Sequence, residues 1–106
     1  MERHALTELL AQRAASGKPY LEFLRAESMS AGLYVLPAGG VDPQLPHAED
    51  EIYVVMSGSA QFTAGNETRP VNPGQTVFVP AGVPHQFHDI ETELHLLVVF
   101  APRETT

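Results

Sequence analysis

The chain contains no cysteine. That excludes thiolate metal sites, nucleophilic thiols and disulfide staples, and it suits an intracellular protein without requiring one. Any bound metal must therefore be held by His, Asp or Glu. Basic residues are also scarce: six Lys and Arg stand against 13 Asp and Glu, a net charge of −7. With no basic cluster to offset it, this balance opposes binding to phosphate backbones or anionic lipid. Nucleic acid and membrane are not expected partners. No apolar run approaches the roughly 20 residues that cross a bilayer. Glu2 and Glu8 occupy the N-terminal stretch where a secretory peptide is cationic and then apolar. A cytoplasmic location is expected, and Asn66-Glu67-Thr68 then reads as a chance sequon in a turn.

What remains is a chain of 106 residues with 43% apolar content, enough for one core and too short for two domains. Leu6, Leu9, Leu10 and Arg13 recur at helical spacing among alanines, which predicts a short amphipathic helix over residues 4–15 with Gly17 as its stop. After Lys18-Pro19 the pattern changes to short apolar runs broken by Gly, Pro, Asn or Asp, the signature of an all-β sandwich or barrel. Strands are predicted at Tyr20–Ala26, Ala31–Leu36, Gln44–His47, Glu51–Ser57, Ser59–Thr63, Thr68–Val71, Thr76–Pro80, His85–His88 and Glu93–Ala101. About nine strands suit a jelly roll or closed barrel. Residues 1–17 are read as a helix belonging to the same domain as the barrel at 18–106, with loose ends at the first few residues and at Arg103–Thr106.

Two strand entrances carry metal-ligand side chains. His47 is followed after three residues by Glu51, which opens the apolar run Ile52–Met56. Further along, a strand and the rigid turn Pro80-Ala81-Gly82-Val83-Pro84 lead into His85. Side chains alternate across a strand, so Glu51, Tyr53 and Val55 share one face and His85 and Phe87 another. If Glu51 points into a barrel, Tyr53, Val55 and Phe87 line the space beneath it and His88 lies outside. Taken alone, His47 reads as a surface histidine beside the acidic turn Glu49-Asp50-Glu51; its pairing with the second segment reverses that reading. His4, His88 and His95 read as locally bonded or strand-face histidines.

These residues carry a family resemblance. The chain resembles the cupin superfamily, whose first motif runs Gly, five residues, His-x-His, three or four residues, Glu, six residues, Gly. Here Gly39, Leu45-Pro46-His47, Glu51 and Gly58 stand at that spacing. The second motif, Gly, five residues, Pro-x-Gly, two residues, His, three residues, Asn, is matched by Gly74, Pro80, Gly82, His85 and Asp89, with Asp in place of the final Asn. The resemblance implies a double-stranded β-helix, or jelly-roll barrel, and one divalent ion, with Fe, Zn, Mn or Ni all eligible. It carries over the ligands His47, Glu51 and His85.

The family's first histidine falls at Leu45, so one ligand is missing, with Gln44, Asp42 or a water as candidates for the vacancy. Two histidines and a carboxylate suit a facial Fe(II) site or a Zn²⁺ site with water. Gln44, Leu45, Val55 and Phe87 are expected around the pocket and Tyr53 as the nearest catalytic acid or hydrogen-bond donor. Metal-dependent oxygenase or isomerase chemistry on a small neutral or weakly acidic metabolite is the first functional expectation, and a non-catalytic binding or sensing module the alternative. A homodimer is expected through the helix and the Ile52, Val54, Met56 face.

Overall fold

The computed structural model describes residues 1–43 and 46–105, and Gln44, Leu45 and Thr106 lie outside the described residues. One helix, α1 (Leu6–Ser16), precedes six strands: β1 (Tyr20–Arg25), β2 (Ser30–Leu36), β3 (Asp50–Ala64), β4 (Glu67–Val71), β5 (Thr76–Val79) and β6 (His85–Ala101). The sheet is antiparallel in the order β1-β2-β6-β3-β4, and β5 pairs with the first half of β3. Rolled on itself, it is the all-β double-stranded β-helix with a short N-terminal helix that the sequence predicts.

The number of strands differs from the expectation because two pairs of predicted strands are continuous. Glu51–Ser57 and Ser59–Thr63 belong to β3, and His85–His88 and Glu93–Ala101 belong to β6. Gly58 is a kink within a strand, not a turn between two. It holds φ +91°, and a Cβ there would sit 2.1 Å from the Glu93 carbonyl oxygen, so only glycine lets β6 pass this close. Register irregularities between Val55 and Gln61 mark the bend. They also reverse the parity of the strand: Glu51, Tyr53 and Val55 are buried before the bend, Ala60 and Phe62 after it.

β6 reverses in the same way, from His85 and Phe87 to Ile90, Leu94, Leu96, Val98 and Phe100. Here the non-glycine residue at positive φ is Asp89, at +48°. Asn and Asp tolerate the left-handed region better than most residues, which is why Asp serves at the position where the family has Asn. The predicted strand Gln44–His47 is not a strand where it is described. Pro46 and His47 are irregular, and His47 is tied instead by its carbonyl, which accepts the Gly82 N–H at 2.7 Å.

The barrel interior is filled by the inward side chains of β2, β3 and β6, among them Tyr34, Tyr53, Phe62, Phe87, Leu94, Leu96 and Phe100. A second cluster lies outside the barrel, where Leu9 of α1 packs on Leu33 and Val35 of β2 with Met56 at its edge. β2 is consequently buried along its whole length and shows no alternation. Gly17 closes the helix in the left-handed conformation, its N–H donating to the Ala14 carbonyl. The ends are better held than expected: the His4 ring meets Phe23 with centroids 4.9 Å apart, and Glu104 and Thr105 are hydrogen-bonded to the barrel.

Candidate metal centre

The three consecutive acids Glu49, Asp50 and Glu51 at the entrance to β3 have three different fates. Asp50 faces outward and its Oδ1 accepts the Ala81 N–H at 2.9 Å, fastening the turn that precedes His85. Glu49 is buried and its Oε2 accepts the Thr105 hydroxyl at 2.7 Å. Glu51 turns into the barrel. His85, the first residue of β6, also points inward, and His47 closes over both from the preceding loop. One donor atom from each of His47, Glu51 and His85 lies within 4.8 Å of the others, close enough for one ion to be shared.

The side chains of His85 and Glu51 are each 1% exposed and His47 is 20% exposed, so His47 is the member of the cluster that meets solvent. Nδ1 of His85 lies 2.9 Å from the Val83 carbonyl. A carbonyl only accepts, so Nδ1 carries a proton, and in the neutral ring the Nε2 lone pair is aimed inward, the orientation that a histidine ligand needs. Nε2 is 3.0 Å from the Tyr53 hydroxyl and 2.9 Å from Oε1 of Glu51. Burial works against the charged ring, but the adjacent Glu51 carboxylate and the Val83 carbonyl outweigh it and raise the His85 pKa above its ordinary value.

Glu51 is the unusual member. Both of its oxygens are buried, and among the described residues neither has a properly aligned hydrogen-bond partner, despite the short approach to His85. Burying a carboxylate without aligned donors costs several kcal/mol, on the order of the effective penalty for a buried ion. A divalent cation among Glu51 and the two imidazoles would remove that cost. The donor set of two nitrogens and one oxygen fits Zn²⁺ or the first-row ions. The residues present therefore fit a bound metal.

Beside the cluster is a cavity of about 280 Å³ walled by Tyr20, Tyr34, Phe100, His47, Glu51 and Glu104 together with Pro19 and Val98. Its walls differ from the expected ones. Val55 and Phe87 are buried and are not among the residues that wall this cavity; Phe87 packs against Tyr53 and Phe62, with ring centroids 4.9 and 4.4 Å apart. Tyr53 is likewise fully buried, forming the floor under His85. Gln44 and Leu45 lie outside the described residues. Asp42 is not aimed at the cluster: its Oδ1 accepts the Tyr34 hydroxyl at 2.6 Å and its Oδ2 the Phe87 N–H at 2.9 Å.

The sequence reading missed Tyr20, Tyr34 and Glu104. Both phenols are pushed above their ordinary range, mainly by burial and further by nearby carboxylates, so at neutral pH they are hydrogen-bond donors and not bases. The Tyr20 hydroxyl is buried without a hydrogen-bond partner among the described residues. Its ring lies across Gly32, where a Cβ would overlap the phenol at 2.1 to 2.4 Å. The spacing of Gly32 and Tyr34 in the sequence carries no sign of this, because β2 is buried on both faces. The remaining histidines have local partners, as expected: His88 meets Thr63 and Asp89, and His95 meets Glu93.

A small rolled β-barrel with two histidines and a glutamate gathered at one mouth defines the class of protein. The cupin domain profile matches residues 32–100, and the chain belongs to the cupin family. It is similar to an uncharacterized protein of Streptomyces coelicolor, SCO3923, with 53% identity over 105 residues, 99% of this chain and 100% of that one. It is also similar to dimethylsulfoniopropionate lyase DddQ of Ruegeria pomeroyi, 33% identical over 71% of this chain and 38% of that protein; the solved structure of that lyase superposes with a TM-score of 0.70. The structure of TT1209 from Thermus thermophilus superposes with a TM-score of 0.77 at 29% identity, covering 97% of this chain and 99% of that one. No helix among the described residues is long and apolar enough to cross a membrane.

Proposed function

We propose that this cupin is a metal-dependent enzyme in which His47, Glu51 and His85 hold one divalent ion, Fe, Zn, Mn or Ni, beside a cavity that admits a small neutral or weakly acidic metabolite. The observation that carries the reading is the buried Glu51 carboxylate, which among the described residues lacks an aligned donor and lies close to two imidazoles. When bound, such an ion supplies Lewis acidity or redox chemistry at positions left open by the protein. The chain's own residues supply the rest. Val83 fixes the His85 ring, Tyr20 offers an unpartnered O–H to an oxygen of the ligand, and Tyr53 is the nearest acid or hydrogen-bond donor under the site.

Oxygenase and isomerase chemistry remain the first candidates, and the similarity to a lyase adds elimination to them. No Lys or Arg walls the cavity, so a phosphorylated substrate is disfavoured. The departure at Leu45 from the family's four ligands favours a second reading, a non-catalytic module that binds the same class of molecule. Metal analysis of untagged protein purified without chelator decides the first point. About one equivalent of a single metal that raises the melting temperature is the expected result, and less than a tenth of an equivalent, on the order of adventitious loading, overturns it. Oxygen uptake or product formation on adding Fe(II) and candidate substrates supports the enzyme, and saturable binding without product the module.

The same reading includes a cytoplasmic location, α1 and the barrel folding as one domain, and a homodimer. Ile52 and Phe78 are neighbours across β3 and β5 and are 42% and 58% exposed, an apolar pair on the outer face that a second copy would cover. Val54 and Met56 contribute less than the sequence suggests, since both are already half-buried and Met56 packs towards the helix cluster.

A further inference from the structure

The C-terminal segment beyond β6 returns across the cavity mouth and is pinned there. The Glu104 N–H donates to Ser30 Oγ at 2.9 Å, Arg25 donates to the Glu104 carbonyl at 3.2 Å, and the Thr105 hydroxyl reaches the buried Glu49. These anchors fix the backbone and send the Glu104 side chain inward, where it is 14% exposed and its Oε2 lies 3.5 Å from Nδ1 of His47. His47 itself sits on irregular backbone, in contrast to the strand-borne Glu51 and His85.

Glu104 also shares its surroundings with other acids. Glu51 walls the same cavity, and buried Glu49 accepts the hydroxyl of the adjacent Thr105. Among the described residues no Lys or Arg walls the cavity. Carboxylates gathered in this way around two imidazoles repel one another unless a cation is among them. A tail fastened by three hydrogen bonds to hold a carboxylate in such a place is accounted for if that carboxylate serves the cation site.

We propose that Glu104 is a positioning residue of the metal centre: its carboxylate holds His47 through Nδ1 and so presents Nε2 to the point shared with Glu51 and His85. The inference rests on the metal reading above. It makes the tail part of the site and supplies, through an existing ligand, constraint that the family obtains from an additional histidine at the position of Leu45. A carboxylate on the far nitrogen of a ligand histidine fixes its tautomer and raises its basicity, and losing such a partner weakens metal binding about 10–100-fold.

Co²⁺ titrations of the full chain, followed by calorimetry and by the visible absorption of the bound ion, test this. Glu104→Ala is expected to weaken Co²⁺ binding about 10–100-fold and to alter the spectrum, Glu104→Gln to fall between it and the native protein, and Glu91→Gln, which removes an exposed carboxylate elsewhere, to bind as the native protein does. Glu104→Gln keeps the test decisive if the alanine variant fails to fold. A double-mutant cycle distinguishes positioning from general support of the fold: in a His47→Ala background, Glu104→Ala should cost nothing further. Native affinity in both Glu104 variants, or an equal loss with and without His47, overturns the role of Glu104 and leaves the metal reading intact. No Co²⁺ binding by the native protein overturns both.

Discussion

The two histidines of the site are held in very different ways. His85 begins a long strand, is buried, and has its ring fixed by the Val83 carbonyl on one nitrogen and faced by Tyr53 and Glu51 on the other. His47 lies on a loop, is more exposed, and meets the Glu104 carboxylate of a C-terminal tail. One side of the centre is thus built into the barrel before any ligand arrives, and the other is assembled from segments that flank it. In the proposed metal centre the barrel side would set where an ion sits, and the loop and tail how tightly it is held.

That contrast breaks most visibly if the ligands are removed singly. His85→Ala should abolish measurable metal binding, while His47→Ala should retain a weak site, with losses of more than about 100-fold and nearer that figure respectively, both exceeding the loss of an orienting partner. Calorimetric titration with Zn²⁺ checks the order, and equal losses would mean that the barrel side is not the better organised one.

A change at Glu51 has opposite effects on binding and stability. Glu51→Met, similar in shape, should eliminate metal binding and yet stabilise the metal-free protein by about 1–4 kcal/mol at mildly alkaline pH, where His85 is neutral and Glu51 is a buried charge with no opposite charge beside it. His85 then remains satisfied by Val83 and Tyr53. Urea denaturation in the presence of chelator measures this, and a destabilised variant would show that Glu51 is not an uncompensated charge in the free protein.

The pH dependence follows from the same pair. In the metal-free protein the His85 pKa is raised: burial opposes its charge, but Glu51, Val83 and Asp42 together outweigh burial. Its bound proton stabilises that state fully below about pH 6.5, the ordinary imidazole value, and the contribution is lost as pH rises through the higher folded value. A metal ion must displace this proton. The metal-induced rise in melting temperature should therefore be small at about pH 5.5 and grow with pH until His85 is neutral in the free protein. A rise that is flat from acid to mildly alkaline pH would remove the proton from the account.

The barrel side was also the legible side. The inward parity of Glu51 and Tyr53, the turn before His85 and the outward placement of His88 follow from alternation and from fixed Gly and Pro positions, which act locally. Gly58 was read as a break between two strands because glycine at a close backbone approach and glycine at a chain reversal look alike in a sequence. The parity reversals in β3 and β6 were invisible for the same reason. Tyr20, Tyr34 and Glu104 come to the cavity only through the rolling of the sheet and the return of the tail, contacts between residues far apart in the chain that no local period announces. Val55 and Phe87, expected at the pocket, lie in the buried core cluster and are not among the walls of this cavity.

The smallest expected effect belongs to Tyr53, and it sharpens the comparison because this residue meets the well-held histidine His85. Its hydroxyl and the Val83 carbonyl both address His85, but only Val83 determines which nitrogen carries the proton. Tyr53→Phe leaves the ring in place against Phe62 and Phe87 and should change metal affinity by less than about tenfold, below the usual cost of losing a tautomer-fixing partner. If Tyr53 also serves as the acid beneath a bound substrate, turnover falls well beyond that factor while affinity holds. A loss of affinity as large as that of Glu104→Ala would instead mean that the barrel does not fix His85 unaided, and the two histidines would then depend equally on their hydrogen-bond partners.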